Sequence, residues 1–154
     1  MNILVTGANG LLGRYLVELL SKKHKVFAIV KNIEKLNFEI NENITVLEMD
    51  LSIINLEVLP KHIEAIYYLA QSNRFREFPD GVDDMLSINV LAPNILAKWA
   101  VKTGVKKFIY ASSGGVYTNP NKPVKEFFDI NANEKLGFYL NSKLSAFKKL
   151  RKFV

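Results

Sequence analysis

The chain has 154 residues, 49% of them apolar, and a formal net charge of +6. That length fits one domain large enough for its own core. With no cysteine, disulfides and thiolate metal sites are excluded, and His24 and His62 stand apart in turn-like surroundings, so no metal site is expected. No run of about 18 apolar residues is present, and the first strand follows Met1 with no space for a signal peptide, which points to a cytoplasmic protein without a membrane span. The basic residues are spread out. Their densest groups, Lys22-Lys23, Lys106-Lys107 and Lys148 to Lys152, fall at helix ends, where cations suit the helix dipole, so no nucleic-acid partner is expected.

Ile3-Leu4-Val5 reads as a strand, and it runs into a turn with glycines at Gly7, Gly10 and Gly13. Leu11 to Ser21 then reads as a helix with Leu12, Leu16, Leu19 and Leu20 at helical spacing. The glycines allow positive φ, close approach of a ligand to the backbone, and tight packing of helix on strand. The N–H groups at the helix start form a site for pyrophosphate. The spacing is Gly-x-x-Gly-x-x-Gly, which matches the usual dinucleotide fingerprint in context rather than in letter.

A second strand spans Val26 to Val30, and Lys31-Asn32 ends it. A polar stretch to about Glu42 leads to a third strand, Ile44 to Met49, ended by Asp50-Leu51. Ser52 reads as the N-cap of a helix through Leu59, stopped by Pro60. Ala65 to Ala70 is a fourth strand, and Gln71 to Asp80 a polar loop. A long helix follows from about Gly81 to Thr103, with Pro93 inside it as an expected kink and Gly104 as its cap. Lys107 to Ala111 is the fifth strand, Ser112 to Asn133 a loop, and Glu134 to about Lys152 the last helix. Alternating strands and helices predict a doubly wound parallel α/β sheet of about five strands with helices on both faces, and a ligand crevice at the carboxyl ends of the strands.

The polar and glycine residues sit where that crevice needs them. Gly7 to Gly13 follows the first strand, Lys31 the second, Asp50 the third, Ala70-Gln71 the fourth and Ser112-Ser113 the fifth. Tyr139 and Lys143, four apart on the last helix, share a face. A phenol titrates near ~10, but a nearby ammonium favours the phenolate, so Lys143 is expected to ready Tyr139 for proton transfer with an alcohol or carbonyl substrate. Ser113 is placed to bond the same substrate oxygen.

Thr6-Gly-x-x-Gly-x-x-Gly13, Asp50-Leu51, Tyr68-Leu69-Ala70, Asn89-Val90, Ser112-Ser113-Gly-Gly-Val-Tyr117 and Tyr139-x-x-x-Lys143 together resemble the NAD-dependent epimerase/dehydratase family of the extended short-chain dehydrogenases, from Met1 to about Lys149. The resemblance implies a Rossmann-like domain holding NAD(P) and a nucleotide-sugar substrate. It places the pyrophosphate on Gly7, Asn9, Gly10, Leu11, Leu12 and Gly13, and the adenine beside Asp50 and Leu51. Leu69, Ala70 and Gln71 would lie by the ribose and nicotinamide, with Asn89 near the cofactor. Ser113 and Tyr139 would take the substrate oxygen, and Tyr139 and Lys143 would also touch the cofactor. It also implies a homodimer through the long helix and the last one, with Trp99, Phe138, Leu144, Phe147, Leu150 and Phe153 offering apolar faces.

Three departures shape the expectation. Members that prefer NAD carry an acid at position 31, and Lys31 instead suits a 2′-phosphate, with Arg14 close by, so NADP is preferred over NAD. Thr118 stands where relatives usually have a further glycine. The chain also ends at Val154, where relatives continue into a substrate-binding lobe. Two functions follow: a Tyr-assisted oxidoreductase domain of this family, or a non-enzymatic NAD(P)-binding module derived from it.

Overall fold

The computed structural model describes residues 1–117, 123, 125 and 136–153. Strands β1 (Asn2–Thr6), β2 (Lys25–Val30), β3 (Ile44–Glu48), β4 (Ala65–Tyr68) and β5 (Lys107–Tyr110) form one parallel sheet in the order β3-β2-β1-β4-β5. Registers such as Val5 opposite Ala28 and Tyr67 run the strands level, so their carboxyl ends open on one edge. Side chains alternate across the sheet. Ile3, Val5, Val26, Ala28 and Val30 pack with Val17 of helix α1 (Leu11–Ser21) on one face, while Leu4, Ile29, Ile66 and Tyr68 build the core of the other. Both faces are therefore covered, as a parallel sheet requires. Among the described residues no helix is long and apolar enough to cross a membrane.

Helix α1 presents a different face from the one its leucines suggest. Leu12 and Leu19 are 61% and 62% exposed, and the buried line is Gly13, Val17 and Ser21. Gly13 sets this rotation, because a backbone without a side chain is what fits against the turn after β1. The helix expected after Ser52 is replaced by two short 3₁₀ turns, Leu51–Ile53 and Leu56–Val58. Asp50 rather than Ser52 caps the first, accepting the Ser52 N–H, and Asn55 caps the second in the same way. Two such caps so close together each close a turn locally and leave no uninterrupted helical ladder.

The long helix divides into α2 (Val82–Met85), a wide π-type turn (Leu86–Leu91) and α3 (Ala92–Thr103), which ends at Gly104 with φ +77°. Pro93 marks the site. Lacking an N–H, it leaves the Asn89 carbonyl without its usual donor, and the Ala92 N–H reaches back to the Ser87 carbonyl, bypassing Ile88. Two tyrosines from the sheet fill these vacancies: the Tyr110 hydroxyl donates to the Asn89 carbonyl at 3.3 Å, and the Tyr68 hydroxyl to that of Ile88 at 2.6 Å. The expected kink is thus a wide turn held by the strands beneath it. Tyr68 is fully buried, so Tyr68→Phe leaves a buried carbonyl unpaired. The expected cost is about 2 kcal/mol, read as a thermal midpoint lowered by about 4–8 °C.

Helix α4 (Phe138–Leu150) packs on the wide turn and on α3. The expected start of this helix at Glu134, and Thr118, lie outside the described residues. Leu144 and Leu150, expected to offer apolar faces to a second copy, are buried within the chain.

Candidate functional site

The chain lays β2 and β3 to one side of β1 and then crosses to place β4 on the other, so the sheet reverses its order between β1 and β4. A crevice opens at such a point because the connections leave in opposite directions. Thr6 ties its two walls together, its hydroxyl accepting the N–H groups of Leu69 and Ala70 at 3.1 and 3.2 Å. Gly7 follows with φ +67°, and a Cβ there would lie 2.8 Å from the Ala70 nitrogen. A Cβ on Gly13 would lie 2.1 Å from the Gly7 carbonyl oxygen. The result is a bare backbone cradle.

A cavity of about 770 Å³ fills the crevice. Gly7, Asn9, Gly10, Leu11, Leu12, Gly13, Lys31, Asp50, Leu51, Leu69, Ala70 and Gln71 line it, as expected from their places after the strands. No side chain caps the first turn of α1 and no acid lies in it, so the helix offers its N–H groups and dipole to an anion. Asn9 is fixed at the rim by its amide on the Lys35 carbonyl, with its own carbonyl taken by Asn37. The cradle, the open helix end and the cavity volume fit a dinucleotide.

Lys31 does not stand alone at the far end. Its ammonium pairs with Asp50 at 2.8 Å. The Lys31 ammonium first, then the N–H of Ser52, holds the Asp50 carboxyl down to about 2, and Asp50 in turn raises Lys31. Lys31 remains mostly exposed, so the pair is a surface one that a stronger anion can recruit.

Four expected cofactor residues, Arg14, Asn89, Tyr139 and Lys143, do not line the cavity. Arg14 turns away from the cavity, its guanidinium 4.6 Å over the Tyr15 ring and donating to the Tyr15 hydroxyl. Asn89 is fully buried in the wide turn. Its Oδ1 accepts the Ser72 N–H and its Nδ2 donates to the Ser142 hydroxyl, both at 3.0 Å, and Ser142 donates to the Tyr139 carbonyl. Asn89 therefore joins the loop after β4 to helix α4. Sequence reasoning missed Ser72, Asn73, Arg74 and Asp84, which also line the cavity. The first three were open to detection, since they continue the loop that Gln71 begins. Asp84 gave no signal, because its place depends on the hydrogen bond it makes with Ser72.

Among the described residues the side chains of the three expected catalytic residues make no hydrogen bonds to one another. The Tyr139 hydroxyl donates at 2.9 Å to Oε1 of Gln71, a residue of the cavity lining. Ser113 lies by a separate cavity of about 240 Å³ with Val116 and Phe147, its hydroxyl accepting the Gly115 N–H. Among the described residues no hydrogen bond joins Ser113 to Tyr139. Lys143 is 1% exposed, with its ammonium 4.9 Å over the Tyr110 ring. Burial pushes the Tyr139 phenol up and the Lys143 ammonium down to about 8. The shift at Tyr139 is opposite to the one expected, because desolvation outweighs an ammonium whose charge is turned to another ring.

Comparison with known proteins agrees with this geometry. A family profile described as "NAD dependent epimerase/dehydratase family" matches residues 3–153. UDP-glucose 4-epimerase of Mycolicibacterium smegmatis is 31% identical over 147 residues, which cover 85% of this chain and 45% of that protein. The structure of UDP-N-acetylglucosamine 4-epimerase from Methanobrevibacter ruminantium M1 in complex with UDP-N-acetylmuramic acid matches with a TM-score of 0.85 and 29% identity. It covers 99% of this chain and 50% of that one. MoeE5 in complex with UDP-glucose and NAD matches with a TM-score of 0.79 and 27% identity, over 99% and 49% of the two chains. The chain thus spans about half the length of these relatives. It belongs to the NAD-dependent epimerase/dehydratase family.

Proposed function

We propose that this chain is the cofactor-holding part of an NAD(P)-dependent oxidoreductase of the epimerase/dehydratase type, acting on a nucleotide sugar or a related alcohol or carbonyl compound. One observation carries the reading: the glycine cradle and Gln71, which accepts a hydrogen bond from the Tyr139 hydroxyl, line one cavity. A nicotinamide dinucleotide bound there would supply hydride exchange with a substrate carbon. Gly7 to Gly13 and the start of α1 would hold its pyrophosphate, Asp50 and Leu51 its adenine end, and Leu69 to Gln71 its nicotinamide end. Lys31 favours NADP, since a cation cannot accept a hydrogen bond from a ribose hydroxyl but pairs with a 2′-phosphate.

Tyr139 keeps its proton at neutral pH because burial raises the phenol, so it is suited to donate to a substrate oxygen. Lys143 would hold the nicotinamide ribose once its buried ammonium turns from the Tyr110 ring toward the cavity. Ser113 would join them on the same oxygen. Two copies would pair through α3 and α4, where Ile95 of α3, Leu91 of the wide turn before it and Phe153 just after α4 remain exposed. That Ser113 lines a different cavity from Gln71 favours a second reading, a cofactor-binding module without turnover. Incubating the chain with NADP and a panel of nucleotide sugars, and following both cofactor reduction and conversion of the sugar itself, since an epimerase returns the hydride and reduces no cofactor net, separates the two. Turnover that falls about 100-fold or more in Tyr139→Phe supports the enzyme. A cofactor-loaded chain with no turnover on the whole panel supports the module.

A further inference from the structure

We propose that Gln71, which lines the cavity, is a positioning residue for Tyr139: its carboxamide holds the phenol hydroxyl in place and, by turning over, serves phenol or phenolate until a substrate oxygen takes its place. The inference rests on the reading of Tyr139 as the proton donor.

Both ends of the contact are anchored, and by the same side chain. Next to Gln71, Ser72 is 1% exposed, its N–H held by Asn89 Oδ1, its hydroxyl bonded to Asp84 and accepting the Arg74 N–H at 3.0 Å. On the other side, Asn89 Nδ2 holds Ser142, whose hydroxyl is bonded to the Tyr139 carbonyl at 2.7 Å. Phe75 adds a ring contact to Tyr139 with centroids 5.3 Å apart. The 2.9 Å bond between Gln71 and Tyr139 therefore closes a loop of contacts through one buried amide.

The chemistry of a carboxamide suits this place. Its oxygen accepts from a phenol, and after a half-turn its NH₂ donates to a phenolate from the same position. A carboxylate serves only the phenol and repels the phenolate, and an aliphatic side chain serves neither. The other charged or titratable groups around this contact are Tyr110 from β5, Lys143 one turn further along α4, Arg76 over the Phe75 ring, and Asp84, which is bonded to Ser72. Among the described residues only Gln71 is hydrogen-bonded to the Tyr139 hydroxyl.

The test is a fluorine NMR titration of the chain labelled with 3-fluorotyrosine, whose phenols titrate lower than tyrosine's, with Tyr139 assigned by Tyr139→Phe. Gln71→Glu is expected to raise the Tyr139 midpoint by about 1 unit or more, and Gln71→Leu by a smaller amount through loss of the donor to the phenolate. The other tyrosine signals serve as the check on folding in both variants. A Tyr139 midpoint that neither variant moves, in chains whose remaining signals are unchanged, overturns the proposal. Because this readout needs neither cofactor nor turnover, a chain that shows the shift but binds no dinucleotide would refute the functional reading and leave the contact standing.

Discussion

Gly13→Ala is expected to cost about 3 kcal/mol of stability and to remove dinucleotide binding altogether. The added Cβ would sit 2.1 Å from the Gly7 carbonyl oxygen and 2.9 Å from the Ala8 Cα and oxygen, all of them backbone atoms. None can yield easily. The Gly7 carbonyl already accepts the Gly10 N–H at 2.9 Å, and Gly7 is pressed against Ala70 from the other side. Relief therefore requires α1 to lift from the sheet, which opens the packing of Val17 and spreads the cradle. Gly104→Ala is the control, since Gly104 has φ +77° but nothing within 4 Å of its missing Cβ, and only about 1 kcal/mol of backbone strain is expected. Denaturant midpoints measured on both variants, with thermal midpoints about 6–12 °C and about 2–4 °C below the parent, would establish the difference.

Lys143→Met is expected to stabilise the fold at neutral pH by about 2 kcal/mol and to change how stability depends on pH. The buried ammonium titrates at about 8 in the folded chain against 10.5 ordinarily, a gap worth about 3 kcal/mol, part of which the Tyr110 ring returns as cation–π attraction. Below pH 8 the lysine is charged in both folded and unfolded chains, and the full burial penalty is present. Between about 8 and 10.5 the unfolded chain binds more protons, so stability rises with pH across that window. Tyr68, Tyr110, Tyr139 and Lys31, all shifted upward, act in the opposite sense and only from about pH 10. Urea unfolding at pH 7, 8, 9 and 9.5 should show the parent gaining stability while Lys143→Met stays level. A variant less stable than the parent at pH 7 would mean that the ammonium is paired rather than merely buried. A lysine kept at such a cost suits a site where charge is needed more than stability.

Much of this was legible in the residues because it depends on near neighbours. The alternation of Ile3, Leu4 and Val5, the glycine spacing and the places of Lys31, Asp50 and Gln71 after their strands all follow from local rules, and together they outline the cavity. What was hidden depends on partners far along the chain. The Pro93 kink was visible, but its conversion to a wide turn requires hydroxyls from Tyr68 and Tyr110, which only the sheet brings beneath it. The pairing of Lys31 with Asp50 joins the ends of two neighbouring strands. The direction of the Tyr139 shift depends on the Gln71 loop closing over it, and the four-residue spacing to Lys143 says nothing of where the ammonium turns. The place of Asn89 after the fourth strand gives no hint that its buried amide links the loop after β4 to helix α4.

A calorimetric titration of the chain with NADP and NAD in parallel tests the central claim most directly. The account predicts that NADP binds one per chain and more tightly than NAD, and that Lys31→Asp weakens NADP about tenfold, close to one charge-assisted hydrogen bond, without weakening NAD to the same degree. Binding of neither dinucleotide by the folded chain would contradict the cofactor site itself, and equal affinity for both, unchanged in Lys31→Asp, would contradict the role given to Lys31.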